Sequence, residues 1–384
     1  MRILSVHNRY QIGGGEDVCR EAEATLLREK GHQVETYDDH NDRITTLGQL
    51  DVALNTVWSK HSYQVLKQRL TEQTFDVVHV HNFFPLISPA VFYAAQAVGV
   101  PVVLTLHNYR LMCANAYFFR AGQVCEDCMG KWFPWPSLVH GCYRGRMASG
   151  VVATMLATHR ALGTWTHQVD RYITLTEFTR RKFIQAGLPA DKIVVKPNFV
   201  YPDPGLGQGG GHYALFVGRL SPEKGIGTLL TAWNQLGHHL PLKVVGEGPL
   251  APQVMAAAAQ NPAIEWLGPR SLAEVYTLLQ GATCLVFPSE WYEGLPRIVI
   301  EAFAAGAPVV ASNLGAMSTL IQPHQTGLHF QPRDATDLVT QIQFLLEHPA
   351  LSQHIRQQAR IAFEATYSAE SNYQQLMDIY THLS

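Results

Sequence analysis

The sequence lacks any uninterrupted apolar run of the roughly 20 residues that a membrane-spanning helix needs. It also lacks an excess of charge, because 29 Lys and Arg residues are balanced by 31 Asp and Glu residues. A nucleic-acid-binding protein normally has a strongly basic face, so this balance argues against that class. The segment MRILSVHNRY is typical of a β-strand and not of a signal peptide. Together these features predict a cytoplasmic protein that does not bind nucleic acid.

Two cofactor motifs are also missing. No D-x-D sequence occurs, so the usual carboxylate site for a divalent ion that bridges nucleotide phosphates is absent. The glycines at residues 13–15 do not follow the G-x-G-x-x-G order, and no acidic residue follows the second strand in the expected context. A dehydrogenase is therefore disfavoured. Any bound phosphate must be neutralised by protein groups, without a catalytic cofactor or metal ion.

Six cysteines in 384 residues are too few for a disulfide scaffold, yet four of them lie close together in the sequence. Cys125 and Cys128 form a C-x-x-C pair, with Cys113 before it and Cys142 after it. This spacing is typical of a structural zinc site, which would stabilise a segment without periodicity. Four ordinary reduced thiols in a loop are the alternative.

The same segment is rich in aromatic residues, which could stack on an acceptor sugar or lie at a lipid headgroup surface. With one arginine they are Tyr109, Arg110, Tyr117, Phe118, Phe119, Trp132 and Trp135. Aromatic residues more often fill a core, which is the alternative. Peripheral contact with the inner face of a membrane is therefore one of three interpretations.

Short β-branched runs alternate with segments of helical period, which predicts an α/β fold with parallel sheets. The alternation begins at RILSV and begins again at YALFVG. Residues 201–212 are too rich in Pro and Gly to form a packed element and indicate a linker. We expect two doubly wound Rossmann-like domains facing a cleft, at residues 1–200 and 213–365, with a cysteine-rich insertion at about 107–146. A terminal helix over 366–384 is expected, and its packing against the first domain is a hypothesis from length alone.

Ligands of doubly wound sheets bind beyond the carboxyl ends of the strands, near helix N-termini. The loop VGRLSPEKG follows a strand and contains Arg219 and Lys224. Arginine grips phosphate oxygens in a fork and lysine acts as a point charge, so the pair suits a diphosphate. A solvated loop with two surface charges is the alternative.

The stretch FPSEWYEGLPRIVIEAFAAG also follows a strand. Pro296 is suited to the first position of a helix, which leaves the amides of Gly294 and Leu295 to face an anion. Glu293 precedes this helix, and Glu301 lies about five residues into it, roughly 7.5 Å along the axis. Two carboxylates flanking a diphosphate could accept hydroxyl hydrogen bonds from both ends of a nucleotide sugar. The alternative is a capping Glu293 and an exposed Glu301.

Two loops of the first domain are further candidates. Gly14 and Gly15 would let the backbone approach a ligand closely. Glu16 and Asp17 follow in the first helical turn and would repel a phosphate, so we expect only a glancing contact. His107 follows the strand in TLHNYR and would lie at the edge of the cleft. A capping or buried histidine is the alternative, since most of the 18 histidines must be bystanders.

The E-x7-E pattern from Glu293 to Glu301, its continuation EAFAAGAPVVAS, the basic loop GRLSPEKG and the turn VVGEGP occur in one order and spacing. In these motifs the chain resembles the retaining glycosyltransferases of GT-B architecture, family 4, also called glycosyl transferases group 1. The resemblance is dense over residues 213–330 and looser before them. One departure is Ser318 and Thr319, which stand where the family commonly has Pro-Glu.

The resemblance implies a function for each candidate. Arg219 and Lys224 would bind the diphosphate of a UDP- or GDP-sugar, and Glu301 would bind the ribose. Glu293 and His107 would contact the transferred sugar. The remaining donor contacts implied by the resemblance are Gly14, Gly15, Gly268, Gly294 and Leu295, of which Gly268 marks the region beside the base.

The resemblance also implies metal-independent transfer, with retention of anomeric configuration. The enzyme would be a hexosyltransferase of polysaccharide biosynthesis, and its acceptor a glycan, a lipid-linked glycan or a small molecule. A GT-B-like sugar-nucleotide epimerase or phosphorylase, and a non-catalytic nucleotide-sugar-binding protein, remain the alternatives.

Overall fold

The computed structural model of the chain describes residues 1–11 and 13–383, which form two compact units. The N-terminal unit comprises Met1–Phe118, Cys125–Pro197 and the chain from Asn372 onward. The C-terminal unit comprises Phe119–Val124 and Asn198–Ser371. In the described part of the chain, no helix is both long and apolar enough to cross a bilayer.

The N-terminal unit is built on a six-stranded parallel sheet with the strand order β2-β1-β3-β4-β7-β8. Its strands are β1 (Arg2–Arg9), β2 (Gln33–His40), β3 (Val77–Asn82), β4 (Val102–Leu106), β7 (Arg171–Thr174) and β8 (Ile193–Val195). The antiparallel hairpin of β5 (Phe119–Arg120) and β6 (Gln123–Val124) interrupts this part of the chain and belongs to the C-terminal unit. The central strands β3 and β4 are buried along their whole length, as expected of a sheet covered on both faces.

The helices of the first part of the chain connect these strands. They are α1 (Gly15–Glu29), α2 (Gln49–Val57), α3 (Lys60–Glu72), α4 (Ala90–Gln96), α5 (Trp135–His140), α6 (Arg146–Ala161), α7 (Thr164–His167) and α8 (Glu177–Gln185). The last helix, α16 (Ala369–Thr381), buries Leu376 and Tyr380 in one core with Ile3, Leu27 and Ile173. The end of the chain is thus part of the N-terminal unit.

The C-terminal unit has a second six-stranded parallel sheet, with the order β11-β10-β9-β12-β13-β14. Its strands are β9 (Ala214–Val217), β10 (Leu242–Val245), β11 (Ile264–Gly268), β12 (Cys284–Phe287), β13 (Val309–Ser312) and β14 (Gly327–Phe330). Its helices are α9 (Ile226–Leu236), α10 (Ala251–Gln260), α11 (Leu272–Gly281), α12 (Arg297–Ala305), α13 (Met317–Leu320), α14 (Ala335–Glu347) and α15 (Pro349–Ala362). The core surrounds the fully buried Trp233.

The prediction of two α/β domains, each with a parallel sheet, is confirmed. Residues 201–212 form neither helix nor strand, but they are held against the C-terminal unit by backbone hydrogen bonds. Gly207 donates to Ala305, and Gly209 donates to Gln280. A Cβ atom on Gly207 would lie 2.3 Å from the Cα atom of Gln280, so only glycine allows this approach. The segment that composition marks as a linker is therefore bound along one unit.

Candidate functional site

The strand order of the C-terminal unit places its candidate site at the carboxyl ends of β9 and β12. The chain leaves β9 in one direction and β12 in the other, and such switch points form the crevice that binds ligands in open α/β sheets. The loops at residues 218–225 and 288–296 follow these two strands. They touch at Gly225, where a Cβ atom would lie 1.9 Å from the carbonyl oxygen of Pro288.

Buried Glu293 and half-buried Lys224 form an ion pair between these two loops. The Nζ atom of Lys224 donates to Oε1 of Glu293 at 2.7 Å. The same oxygen accepts from Ser289 Oγ and from Trp291 Nε1, each at 2.7 Å. Lys224 also lies over the ring of Trp291, 5.5 Å from its centroid. The carboxylate is thus fixed by three donors, and the alternative of a simple helix cap does not describe it.

The turn VVGEGP packs directly against the basic loop at residues 218–225. Gly246 has φ +131°, and a Cβ atom there would lie 2.0 Å from the carbonyl oxygen of Gly218. Gly248 has φ +155°, and its Cβ atom would lie 2.4 Å from the carbonyl oxygen of Leu220. Arg219 lies on this loop and is exposed. The two glycines let the turn lie directly against the backbone that carries Arg219.

Gly268 ends β11 beside the same turn. It has φ +71°, and its carbonyl oxygen accepts from the amide of Gly246 at 3.0 Å. The indole of Trp266 donates to the carbonyl oxygen of Gly246 at 3.1 Å. The structure therefore places Gly268 next to the turn that supports the basic loop.

The helix after Glu293 begins one residue later than expected. Pro296 has ψ 121° and precedes the first helical residue, so α12 starts at Arg297. A one-residue difference of this kind is common at helix ends. Leu295 is buried and Gly294 is half-buried just ahead of the helix. Both amides precede a helix N-terminus, where an anion is stabilised.

Glu301 is buried, so the alternative of an exposed helical residue is wrong. Its Oε1 accepts from Arg297 at 2.9 Å, one turn earlier in α12. Burial raises the pKa of Glu301, although Arg297 opposes that shift. Burial and then the nearby Glu301 carboxylate raise the pKa of Tyr276 to about 12. Within residues 1–11 and 13–383, the Tyr276 hydroxyl has no hydrogen-bond partner.

Sequence reasoning missed Tyr276, because an aromatic residue in the amphipathic helix α11 gives no signal of a site. Ser318 and Thr319 have local roles in the short helix α13. Ser318 Oγ donates to the carbonyl oxygen of Gly315 at 2.8 Å, and Thr319 Oγ1 donates to that of Ala316 at 3.1 Å. Their hydroxyls therefore stabilise the turn in which they lie.

In the N-terminal unit, the glycine loop leads into α1, with Gly14 ahead of the helix and Gly15 as its first residue. The amide of Gly14 donates to Asp17 Oδ2 at 2.8 Å, and Asp17 Oδ1 lies 2.8 Å from His7 Nε2. Burial raises the pKa of Asp17, but the contacts with His7 and the Gly14 amide outweigh it and lower that pKa overall. Burial and the neighbouring Asp17 raise the pKa of Glu16 to about 8. At neutral pH the Glu16 carboxyl is therefore mainly protonated, and Asp17 carries the negative charge. That charge already has the Gly14 amide and His7 as partners.

Glu16→Gln should stabilise the protein increasingly as the pH rises from about 5 to 8. The unfolded carboxyl has an ordinary pKa of 4.5 and the folded one a pKa of about 8, so the wild type loses stability across that window. Glutamine has no such loss, and we expect a gain of ~1–3 kcal/mol at the upper end. Urea denaturation at several pH values measures it. Asp17→Asn is the matched control with the opposite sign, and a pH-independent effect of Glu16→Gln would contradict the assignment.

His107 follows β4 and is half-buried. Its Nε2 lies 3.2 Å from Nδ1 of His81, so its partner is another histidine and not a backbone carbonyl. Burial and then His7 lower the pKa of His107 to about 3, which keeps the ring neutral. His107 lines a cavity of about 30 Å³ together with Asn82 and Arg110. The position suits contact with a small polar group.

The four clustered cysteines all lie in the N-terminal unit. Cys113 and Cys128 are buried, while Cys125 and Cys142 are half-buried. Burial, followed by the neighbouring Cys113, raises the pKa of Cys128 to about 12, and Cys142 and Cys125 act in the same direction. The other three thiols therefore lie near that of Cys128.

Two family models match adjoining parts of the chain. The Glycosyl transferase 4-like domain matches residues 13–198, and Glycosyl transferases group 1 matches residues 205–362. The chain is 33% identical over 152 residues to a glycogen synthase of Mycobacterium tuberculosis, a match that covers 38% of this chain and 36% of that protein. The chain thus spans about a third of the length of this curated relative.

Two further proteins match the whole chain. An uncharacterized glycosyltransferase of Methanocaldococcus jannaschii is 21% identical over 400 residues, covering 100% of this chain and 99% of that protein. Among solved structures, HepE from Anabaena in complex with UDP-glucose has a TM-score of 0.67 and 17% identity, covering 99% of each chain. That likeness supports the fold of both units.

Proposed function

Because this chain belongs to the GT-B glycosyltransferases of family 4, the glycosyl transferases group 1, we propose that it moves a hexose from a nucleotide-diphosphate sugar to an acceptor. The acceptor is a glycan, a lipid-linked glycan or a small molecule of polysaccharide biosynthesis. The observation that carries the proposal is the Lys224–Glu293 ion pair at the switch point of the second sheet. The ammonium of Lys224 suits a phosphate, and the carboxylate of Glu293 suits the hydroxyls of the adjoining sugar.

The donor lies along the loops of the C-terminal unit in this proposal. Arg219 and Lys224 neutralise the diphosphate, which is supported by their place on one loop after β9. The amides of Gly294 and Leu295 add helix N-terminal donors. Glu301 binds ribose hydroxyls, and its burial beside Arg297 supports that role, since a buried carboxylate needs hydrogen-bond partners.

The proposed reaction retains the anomeric configuration and uses no metal ion. The glycosidic bond to the diphosphate breaks, and the departing phosphate oxygen takes the proton of the attacking acceptor hydroxyl. Lys224 and Arg219 stabilise the charge that develops on the leaving group. Glu293 orients the sugar hydroxyls and supports the positive charge at the reacting carbon. UDP is the first candidate nucleotide, because HepE was solved with UDP-glucose.

Calorimetric titration of the purified chain with UDP, GDP and ADP tests the donor site, and a transfer assay with the matching sugars tests the reaction. We expect one nucleotide to bind more tightly than the others and its sugar to be transferred. Binding without transfer or hydrolysis would favour the non-catalytic alternative, and a rearranged nucleotide sugar would favour an epimerase. No binding of any nucleoside diphosphate would remove the proposal.

We also propose a structural zinc ion held by Cys113, Cys125, Cys128 and Cys142. Four thiols are the donor set of many tetrahedral zinc sites, and short irregular segments gain stability from them. Metal analysis should find about one zinc ion per chain. Cys128→Ser should lower that content, whereas Cys284→Ala, which removes a buried thiol from β12, should not. A metal-free, fully folded wild type would contradict the proposal.

Peripheral contact with an anionic membrane surface is a further proposal. Trp132, Trp135 and Met147 are exposed, and Lys131 lies over the ring of Trp135 at 5.6 Å. Exposed Trp beside basic residues suits a headgroup layer. The chain should sediment with anionic vesicles, and the Trp132→Ser/Trp135→Ser double variant should not. Met255→Ser, at an exposed residue of α10, is the control, and equal sedimentation with neutral vesicles would contradict the charge argument.

A further inference from the structure

A row of buried polar side chains leads from α1 to His107 in the N-terminal unit. Glu23 accepts from Nζ of Lys196 at 2.9 Å through Oε2. Its other oxygen, Oε1, lies 3.4 Å from Nε2 of His81. Nδ1 of His81 lies 3.2 Å from Nε2 of His107, and the two rings are stacked. The proposed transfer mechanism gives no role to Glu23, His81 or Lys196.

The carboxylate at one end of this row determines where each proton lies. Burial opposes ionisation of Glu23, but Lys196 and then His79 hold its pKa well below the usual value. A lone pair on Nε2 of His81 would face the Glu23 carboxylate at 3.4 Å, so the hydrogen of the neutral ring lies on Nε2. Burial lowers the pKa of His81 well below its usual value, so the ring is neutral and Nδ1 is bare. Without a hydrogen, Nδ1 of His81 can only accept. Nε2 of His107 must therefore donate to Nδ1 of His81.

The remaining nitrogen of His107 is thereby a hydrogen-bond acceptor. Among residues 1–11 and 13–383, the one hydrogen bond of the His107 ring runs through Nε2. The side chain is half-buried beside the small cavity that Asn82 and Arg110 also line. Nδ1 is therefore the atom left for a ligand. A hydroxyl group can donate to it, whereas a carboxylate would place lone pairs against a lone pair.

A metal ion is the competing interpretation of the same cluster. Single ligand atoms of Glu23, His79 and His81 lie within 4.8 Å of one another. However, the ammonium of Lys196 already lies 2.9 Å from Glu23 and would repel a second cation. Nδ1 of His79 already has the hydroxyl of Tyr380 at 2.7 Å. The cluster is therefore explained by hydrogen bonds and one ammonium group.

We propose that Glu23 and His81 are positioning residues that hold His107 as its Nε2–H tautomer, so that Nδ1 accepts a hydrogen bond from a hydroxyl of the donor sugar. The sugar contact rests on the proposed function, whereas the tautomer does not. The substrate class follows from the accepting nitrogen: a sugar with a free hydroxyl where it meets His107, and not one with a carboxylate at that position.

Nuclear magnetic resonance of the full chain labelled with ¹⁵N-histidine reports each tautomer directly. His159 is an internal reference, because its Nε2 lies 2.9 Å from the carbonyl oxygen of Val57, which only accepts. We expect His81 and His107 to show the same Nε2–H pattern as His159 at neutral pH. Wild-type His107 with its proton on Nδ1 would overturn the inference, whatever the transfer assay shows.

Two variants of similar size separate positioning from packing. His81→Asn keeps an acceptor near the place of Nδ1, so His107 should stay as Nε2–H and the donor KM should change less than about twofold. His81→Leu removes the acceptor, so His107 should become a tautomer mixture and the donor KM should rise about tenfold, the loss of one hydrogen bond. If His81→Leu does not fold, the spectra of the wild type and of His81→Asn still show whether His107 carries its hydrogen on Nε2. Equal tautomers in Asn and Leu variants would overturn the inference, and a wild type without transfer would overturn only the proposed function.

Discussion

Glu293→Gln should lower turnover about 100-fold at saturating donor, while the dissociation constant for the nucleoside diphosphate changes by less than about threefold. Glutamine keeps the shape and one oxygen that can accept from Ser289 and Trp291, so the loop stays in place. What it loses is the negative charge beside the reacting carbon, which matters mainly in the transition state. Steady-state kinetics and calorimetry on one preparation measure both quantities.

Lys224→Met should mainly affect binding, in contrast to Glu293→Gln, which mainly affects turnover. We expect nucleoside diphosphate binding to weaken about 10- to 100-fold. Its ammonium is the cation that we place on the phosphates, and a methionine fills the space without the charge. Lys243→Met is the matched control, since Lys243 lies in β10 with its Nζ atom over the ring of Tyr213. That variant should behave as wild type. A Glu293→Gln enzyme with wild-type turnover would remove the role assigned to Glu293.

Gly225→Ala should lower the free energy of unfolding of the full chain by about 3 kcal/mol or more. Gly225 is buried with φ +71°, which costs an L-residue ~1–2 kcal/mol. The added Cβ atom would lie 1.9 Å from the carbonyl oxygen of Pro288, so one of the two site loops must also move. Urea denaturation measures the loss. Nucleoside diphosphate affinity should fall with it, because Lys224 is the preceding residue.

Gly227→Ala is the matched control two residues later. Gly227 lies within α9, and no atom lies within 4 Å of its added Cβ. Alanine there should stabilise the chain by up to ~1 kcal/mol through helix propensity. If both substitutions were equally harmless, the close contact between the two loops would be wrong.

The alternation of the sequence predicted a parallel sheet in each domain because central parallel strands are buried on both faces. PVVLTL contains β4 and TCLVFPS contains β12, and each strand is apolar along its length. The E-x7-E motif likewise located Glu293 and Glu301, since a loop after such a strand must lie at the carboxyl edge of the sheet. The start of α12 was displaced by one residue, because proline suits both the position before a helix and its first turn.

The partners of these residues could not be read from spacing. Ser289 and Trp291 donate to Glu293, but neither follows from a motif. Tyr276 approaches Glu301 from another helix. Glu23 and His81 lie far apart in the chain, and the 18 histidines gave no reason to select His81. Each of these contacts arises from the packing of elements that the sequence separates.

By itself, the sequence determined the two α/β domains, the loops that follow their strands and the residue types available there. Those features depend on local polarity and backbone preference, which neighbouring residues fix. Only the tertiary structure decided which atoms meet: the Lys224–Glu293 pair, the burial of Glu301 and the row from Glu23 to His107. Hydrogen bonds act over about 3 Å, and such distances are set only when separate helices and strands pack together.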